Sequence, residues 1–446
     1  MSRDPAPVQC RDTAPVPEPN GSFAAVVRDA ADTGELVVQP RMGFSAPERM
    51  RAGLSATRDA DAATVGTITL DSYTRVGDFA ALRRADADGT DLNGYPLVTA
   101  DKTVTTTMLD DVRTARFPVQ VRHGSARPGP IVDTLIELGI DATEGGPVSY
   151  CLPYGRVPLR ESVGAWASAT ARFATVGPRA HVETFGGCML GQLCPPALLI
   201  AVSVLEGMFF AQHGIRSVSL SLTQQTSMHQ DLEALHALRA IADRHLTGLD
   251  RHIVVYAYMG VYPRSASGAV TLLTDSARLA VLGGAERLIV KTAAEAFRIP
   301  TIEENVIALE QAAATARHDV PDGEAVPDTG IRADADTLIE AVLALDDDIG
   351  AALVKAFELG LLDVPYCLHT DNAGRTRSYV DESGRVCWSD VGSLPVRPGA
   401  DLRPRHVGSA ELLGALNHVR HRYDAAEPEE TYDLPAGTAA PRSRPA

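Results

Sequence analysis

Six stretches of this chain share one pattern: a short run of apolar, mostly β-branched residues that stops at a polar or charged side chain. They occupy residues 36–41, 67–75, 118–122, 217–224, 252–258 and 287–291. Parallel strands covered by helices on both faces read this way, because only their ends reach polar surroundings. Two weaker candidates, the glycine-rich 143–150 and residues 180–185, bring the set to eight, with helix candidates in between. The economical architecture is α/β, a (β/α)8 TIM-type barrel, with a doubly wound open sheet as the competitor. In a barrel the strand ends gather on one face, and that face holds the active site. Three of the runs end in arginine: Arg41, Arg75 and Arg122. Three planar guanidinium groups converging on one mouth point to a small substrate with more than one carboxylate.

The barrel is assigned to residues 31–330. Residues 1–30, rich in Pro, Asp and Ala, read as an extended or loosely attached N-terminal arm. Residues 331–424 read as a small α+β extension, with a helix near 335–360 and possible strands around 378–390. Residues 425–446 have the composition of a disordered tail. The hydrophobic share of 45% supports a large core, and the net charge of −16 without a basic run argues against nucleic acid or an anionic membrane as partner. The most apolar helix candidate, 197–210, contains Glu206 and is too short to span a bilayer. Six cysteines form no C-x-x-C pair, and no secretory leader is visible, so reduced thiols and a cytoplasmic location are expected.

Only three cationic side chains are lysine, at 102, 291 and 355, against 38 arginines. Lys291 stands at the end of a predicted strand, where a compact ammonium differs chemically from a guanidinium. Glu144, Tyr150 and Tyr154 lie in the glycine-rich fourth strand and its exit. A carboxylate there could take an ammonium or act as a base, and the phenols could donate to a carboxylate. Taken singly, they read better as an ordinary loop glutamate and packed tyrosines. Asp243-Arg-His245-Leu-Thr-Gly248 spells D-x-H-x-x-G, a cobalamin-ligating motif, but it falls at the end of an amphipathic helix between two barrel strands and reads as coincidence. No metal-ligand spacing and no dinucleotide fingerprint is present.

Several short motifs in order resemble one family. They are Gln39-Pro-Arg-Met-Gly43, Asp71-Ser-Tyr-Thr-Arg75, Leu92-Asn-Gly-Tyr-Pro96, Gln120-Val-Arg-His-Gly124, Glu144-Gly-Gly-Pro-Val-Ser-Tyr-Cys-Leu-Pro-Tyr154, Val290-Lys-Thr-Ala-Ala-Glu295 and Ile299-Pro-Thr301. From about 36 to about 366 the chain resembles the large (E, or epsilon) subunit of adenosylcobalamin-dependent glutamate mutase, also called methylaspartate mutase. The resemblance implies a barrel capped by a separate cobalamin-binding small subunit that carries most of the adenosylcobalamin, and a homodimer of large subunits within a heterotetramer. It implies an amino dicarboxylate substrate, L-glutamate, gripped by Arg41, Arg75 and Arg122. Glu144 and Tyr150 would lie near the substrate ammonium, Tyr154 would donate to a carboxylate, and Arg122 and Glu144 would be the catalytic pair. Lys291 and Glu295 would contact the adenosyl ribose, Gly43 and Asn93 the adenine, with His123, Phe185 and Ile299 also lining the cofactor side. Residues 186–194, 222–226 and 256–260 depart from the clostridial pattern. Two other readings remain open on the residues alone: a Schiff-base aldolase or lyase acting on a dicarboxylate through Lys291, and a non-catalytic dicarboxylate-binding barrel.

Overall fold

A computed structural model describes residues 21–153, 155–320, 326–396 and 407–425. Eight parallel strands form one sheet: β1 (Val37–Gln39), β2 (Gly66–Thr69), β3 (Val119–Arg122), β4 (Ala142–Gly145), β5 (His181–Thr184), β6 (Ser217–Thr223), β7 (Asp250–Tyr256) and β8 (Arg287–Ile289). Each pairs with its neighbour in sequence from β2 through β8, and β8 pairs with β1. Between β1 and the approach to β2 the seam is a single bridge, Val38 to Thr64, with Val38 N–H donating to Ala63 at 2.9 Å. The sheet is therefore a nearly closed barrel wrapped in helices, as the strand pattern predicts.

Two predicted elements differ in extent. The second run does not continue as a strand to Arg75. Its strand stops at Thr69, and the Asp71 carboxylate accepts from the backbone N–H groups of Tyr73 and Thr74 at 2.9 Å. That cap starts the helix Ser72–Val76, so Arg75 rides on a helical turn. The single helix expected near 335–360 is two, Ile331–Leu343 and Ile349–Leu359, because Asp348 caps the second one. A hairpin, β9 (Arg377–Val380) against β10 (Val386–Asp390), and the helix Ser409–Asp424 follow.

The described part of the N-terminal stretch is ordered. Ser22 caps the helix Phe23–Asp32, and Phe23 is wholly buried. Its ring stacks on His181 at 5.1 Å and lies 4.9 Å from the Arg287 guanidinium. Both partners open their strands, so this helix plugs the end of the barrel opposite the mouth. The helix Pro196–Gln212 is buried almost throughout. Among the described residues no helix is long and apolar enough to cross a membrane.

Candidate active site

Arg122 closes β3, and Glu144 lies beside it on β4. Their side chains meet with Nε 2.6 Å from Oε2, both almost fully buried. Burial works against the Arg122 charge, but Glu144 together with the Tyr256 and Tyr150 phenols more than offsets it, so the guanidinium keeps its proton more firmly than a free arginine. The Tyr150 phenol donates to the other Glu144 oxygen.

Tyr150 is held from below. The turn that carries it is tied to Glu206, which accepts from Val148 N–H at 3.2 Å, Ser149 N–H at 2.9 Å and the Ser149 hydroxyl at 3.0 Å. A side chain at Gly146 would collide with that carboxyl group. Burial raises the Glu206 carboxyl to about 7, against the pull of these donors.

Arg41 and Arg75 differ from Arg122. Both are half-buried, and neither has a carboxylate partner among the described residues. Arg41 Nη1 lies 3.8 Å from the Met259 sulfur. The Nε of Arg75 is buried without a hydrogen bond among the described residues, and the side chain packs across Gly124, where a Cβ would press on it and φ is +69°. A cavity of about 830 Å³ opens outward from Arg75 and Tyr150, between the loops that follow β2, β3 and β4.

His123 is buried, with its ring stacked on Trp166 at 5.6 Å. Burial first, and the Arg75 charge second, lower it to about 3, so the ring is neutral at pH 7. Its Nδ1 accepts from Ser125 N–H at 3.0 Å, which leaves the proton on Nε2, and that atom has no partner among the described residues. Phe185 packs 5.1 Å from Tyr150.

Lys291 is buried one residue past Val290, whose N–H completes the β8 pairing by donating to Gln39. Its Nζ is 3.5 Å from Glu295 and 5.1 Å from the Tyr262 ring centroid. Burial lowers the ammonium from 10.5 to about 8; Glu295 opposes that shift, while the charges of Arg41 and Arg122 add to it. The structure thus brings Arg41, Arg122, Glu144, Tyr150 and Lys291 to one mouth, with Arg75 and His123 adjoining.

The remaining predicted residues are spread around the rim. At Gly43 a Cβ would strike the Thr69 carbonyl, so only glycine lets the chain leaving β1 press on the end of β2. The Asn93 side chain accepts from Ser72 N–H at 3.0 Å. Ile299 is 57% exposed. Tyr154 lies outside the described residues. The D-x-H-x-x-G segment sits at the opposite end of the barrel, before β7 begins, where Asp243 pairs with Arg251.

Three residues that the sequence reading passed over complete the site from beneath. The Tyr256 hydroxyl lies 2.7 Å from Glu144 Oε2 and also contacts Glu183. Glu183 pairs with Arg287, and both are fully buried. Gln39, Gln120, Ser219 and His252 fill the remaining hydrogen-bonding positions of this ion pair. The available signal was charge inside otherwise apolar strands: a buried ion demands a partner, and Glu183 and Arg287 are each other's.

The family described as Methylaspartate mutase E chain (MutE) matches residues 16–407. The glutamate mutase epsilon subunit of Yersinia enterocolitica is 29% identical over 403 residues, covering 85% of this chain and 82% of the relative. That of Treponema denticola is 29% identical over 400 residues, covering 84% and 81%. A crystal structure of N-acetylneuraminic acid synthetase from Leptospira borgpetersenii superposes at a TM-score of 0.35 with 8% identity, covering 66% of this chain and 88% of that one, too loosely to bear on function. On the match across residues 16–407, the chain belongs to the methylaspartate mutase E chain family.

Proposed function

We propose that this chain is the catalytic large subunit of a coenzyme B12-dependent carbon-skeleton mutase interconverting L-glutamate and 3-methylaspartate. The observation that carries the reading is one mouth holding an Arg122–Glu144 pair beside two guanidinium groups with no carboxylate partner among the described residues. Arg41 and Arg75 can each take a substrate carboxylate in a two-pronged grip, and Arg122 closes the set. Glu144 presents a carboxylate to the substrate ammonium, paired with Arg122 and hydrogen-bonded by Tyr150. Tyr154, four positions after Tyr150 in the sequence, is proposed as a second phenol donating to a carboxylate. Arginine suits the task because it stays charged while the bound skeleton rearranges. The buried neutral His123 offers an Nε2–H with no acceptor among the described residues, a donor that adds no charge.

Adenosylcobalamin, carried mainly by a separate cobalamin-binding small subunit, supplies the radical chemistry when bound. The residues fit such a group. Lys291 and Glu295 form an ammonium–carboxylate pair able to hold two adjacent sugar hydroxyls. Gly43 and Asn93 offer backbone and amide surface for a base, with Phe185 and Ile299 as apolar flanks. The walls of the mouth exclude water from reactive species. A homodimer of large subunits within a heterotetramer, in the cytoplasm, completes the assembly.

A second reading draws on the Lys291 amine, lowered to about 8 and so partly neutral near physiological pH. That is the state of a Schiff-base nucleophile. The test of the main reading is to mix the purified chain with a cobalamin-binding small subunit and adenosylcobalamin and to follow L-glutamate by NMR. Formation of 3-methylaspartate is expected only in the mixture. Borohydride-trapped glutamate on Lys291, without conversion in the mixture, would favour the second reading.

A further inference from the structure

Beneath the mouth, two buried ion pairs stand side by side: Arg122–Glu144 and Arg287–Glu183. One phenol joins them. Tyr256, the last residue of β7, places its hydroxyl against Oε2 of Glu144 at 2.7 Å and against Oε1 of Glu183. Its ring lies 5.1 Å from the Arg122 guanidinium carbon and 5.6 Å from the Phe185 ring. A phenol carries one proton, so it can donate to only one of the two carboxylates at a time. Glu183 has other donors besides it: Ser219 donates to Oε2 at 3.1 Å, Gln120 at 3.2 Å, and Arg287 pairs with the same oxygen, while Tyr256 serves Oε1. Glu144 Oε2 has only the Arg122 Nε besides Tyr256 among the described residues.

We propose that Tyr256 is a positioning residue for the Glu144–Arg122 pair: its hydroxyl donates to the Glu144 carboxylate and aims it, and its ring braces the Arg122 guanidinium. Glu183, anchored by Arg287, serves as the second acceptor. When a substrate ammonium arrives at Glu144, the phenol proton turns to Glu183 and frees an oxygen lone pair for the ammonium. Nothing is oxidised and no proton leaves the set, because the phenol keeps its proton throughout. The inference rests on the proposed role of Glu144 toward the substrate ammonium.

The charged and titratable groups around Glu144 are Arg122 on β3, Glu183 on β5, Tyr256 on β7, and Tyr150 and Cys188 on the loops above. Arginine stays protonated, and burial pushes both the Tyr256 phenol and the Cys188 thiol up.

The experiment is the pH profile of kcat/KM for L-glutamate in the complex with small subunit and adenosylcobalamin, for wild type, Tyr256→Phe, and the chain with 3-fluorotyrosine at 256. The phenylalanine variant keeps the ring and loses the donor. Its acid limb should move up by about one pH unit, a roughly tenfold loss on that limb, with KM affected more than kcat. Fluorotyrosine, a stronger donor of nearly the same size, should move the limb down, and it carries the test if the phenylalanine variant does not fold. An unchanged limb in both substituted chains, with an active wild type, overturns the role of Tyr256 and leaves the mutase reading standing. A wild-type complex inactive toward glutamate overturns both.

Discussion

Lys291 places a measurable cost on the fold. Burial lowers its ammonium from 10.5 to about 8, with the Glu295 attraction already counted in that balance. The difference corresponds to about 3 kcal/mol of strain on the charged form, an upper figure for one buried group. Unfolding returns the amine to its ordinary range, so between about pH 8 and 10.5 the unfolded chain binds more protons than the folded one, and stability contributed by this site rises with pH there. Below pH 8 the penalty is present in full. Lys291→Met removes the charge while keeping an unbranched side chain of similar length. The variant should therefore be more stable than wild type at pH 7, by up to about 3 kcal/mol, or a rise of a few degrees in apparent Tm. The gap should shrink as the pH approaches 10, where the wild-type amine is neutral. The assay is thermal unfolding at matched scan rate and matched protein concentration at pH 7 and pH 10. A variant less stable at pH 7, or a gap that does not close at pH 10, would refute the reasoning. A stabilised but inactive variant is the behaviour expected where a charged group is kept for function at the expense of the fold.

Replacing Arg122 with lysine substitutes a point charge for a fork and loses a charge-assisted bond to Glu144. It should lower kcat/KM for glutamate roughly 10- to 150-fold in the assembled complex, corresponding to about 1.5–3 kcal/mol. Lys291→Arg should weaken turnover yet leave a substrate-dependent radical signal in electron paramagnetic resonance, whereas complete loss of chemistry together with a borohydride adduct on wild-type Lys291 would point to a Schiff base. Glu206→Gln should change the pH dependence of stability. The wild-type carboxyl, raised from 4.5 to about 7, holds a proton in the folded state that the unfolded state releases, so wild type should gain on the variant as pH falls from 7 to 5 in urea titrations. His245→Ala should leave cobalamin binding by the assembled complex unchanged, as read by absorbance after gel filtration, since the residue precedes β7 at the end away from the mouth.

Much of the barrel could be read from the chain because a strand buried on both faces leaves a local signature. Runs such as Val119-Gln-Val-Arg122 and Arg287-Leu-Ile289 carry both their secondary structure and their place in the sheet. Arg41, Arg122 and Lys291 stood out for the same reason, a cation at the end of such a run, whereas Glu144 and Tyr150 were singled out as site residues only by the family resemblance. Where side-chain chemistry competed with the run, local reading failed. Asp71 turned the presumed strand before Arg75 into a helix, and Asp348 restarted the helix after Leu343. The pairing of Tyr256 with Glu144 and Glu183 joins residues 112 and 73 positions apart, and Glu183 meets Arg287 across 104. No periodicity reports such pairings, since they depend on which inward-facing residues share a level once the sheet has closed. The depth of burial at Lys291 and Glu206 is likewise a property of the assembled barrel. The order of the strands and the kinds of groups at their ends were thus written along the chain, while the partners of those groups and their proton affinities arose only when the curled sheet removed them from water and set them within reach of one another.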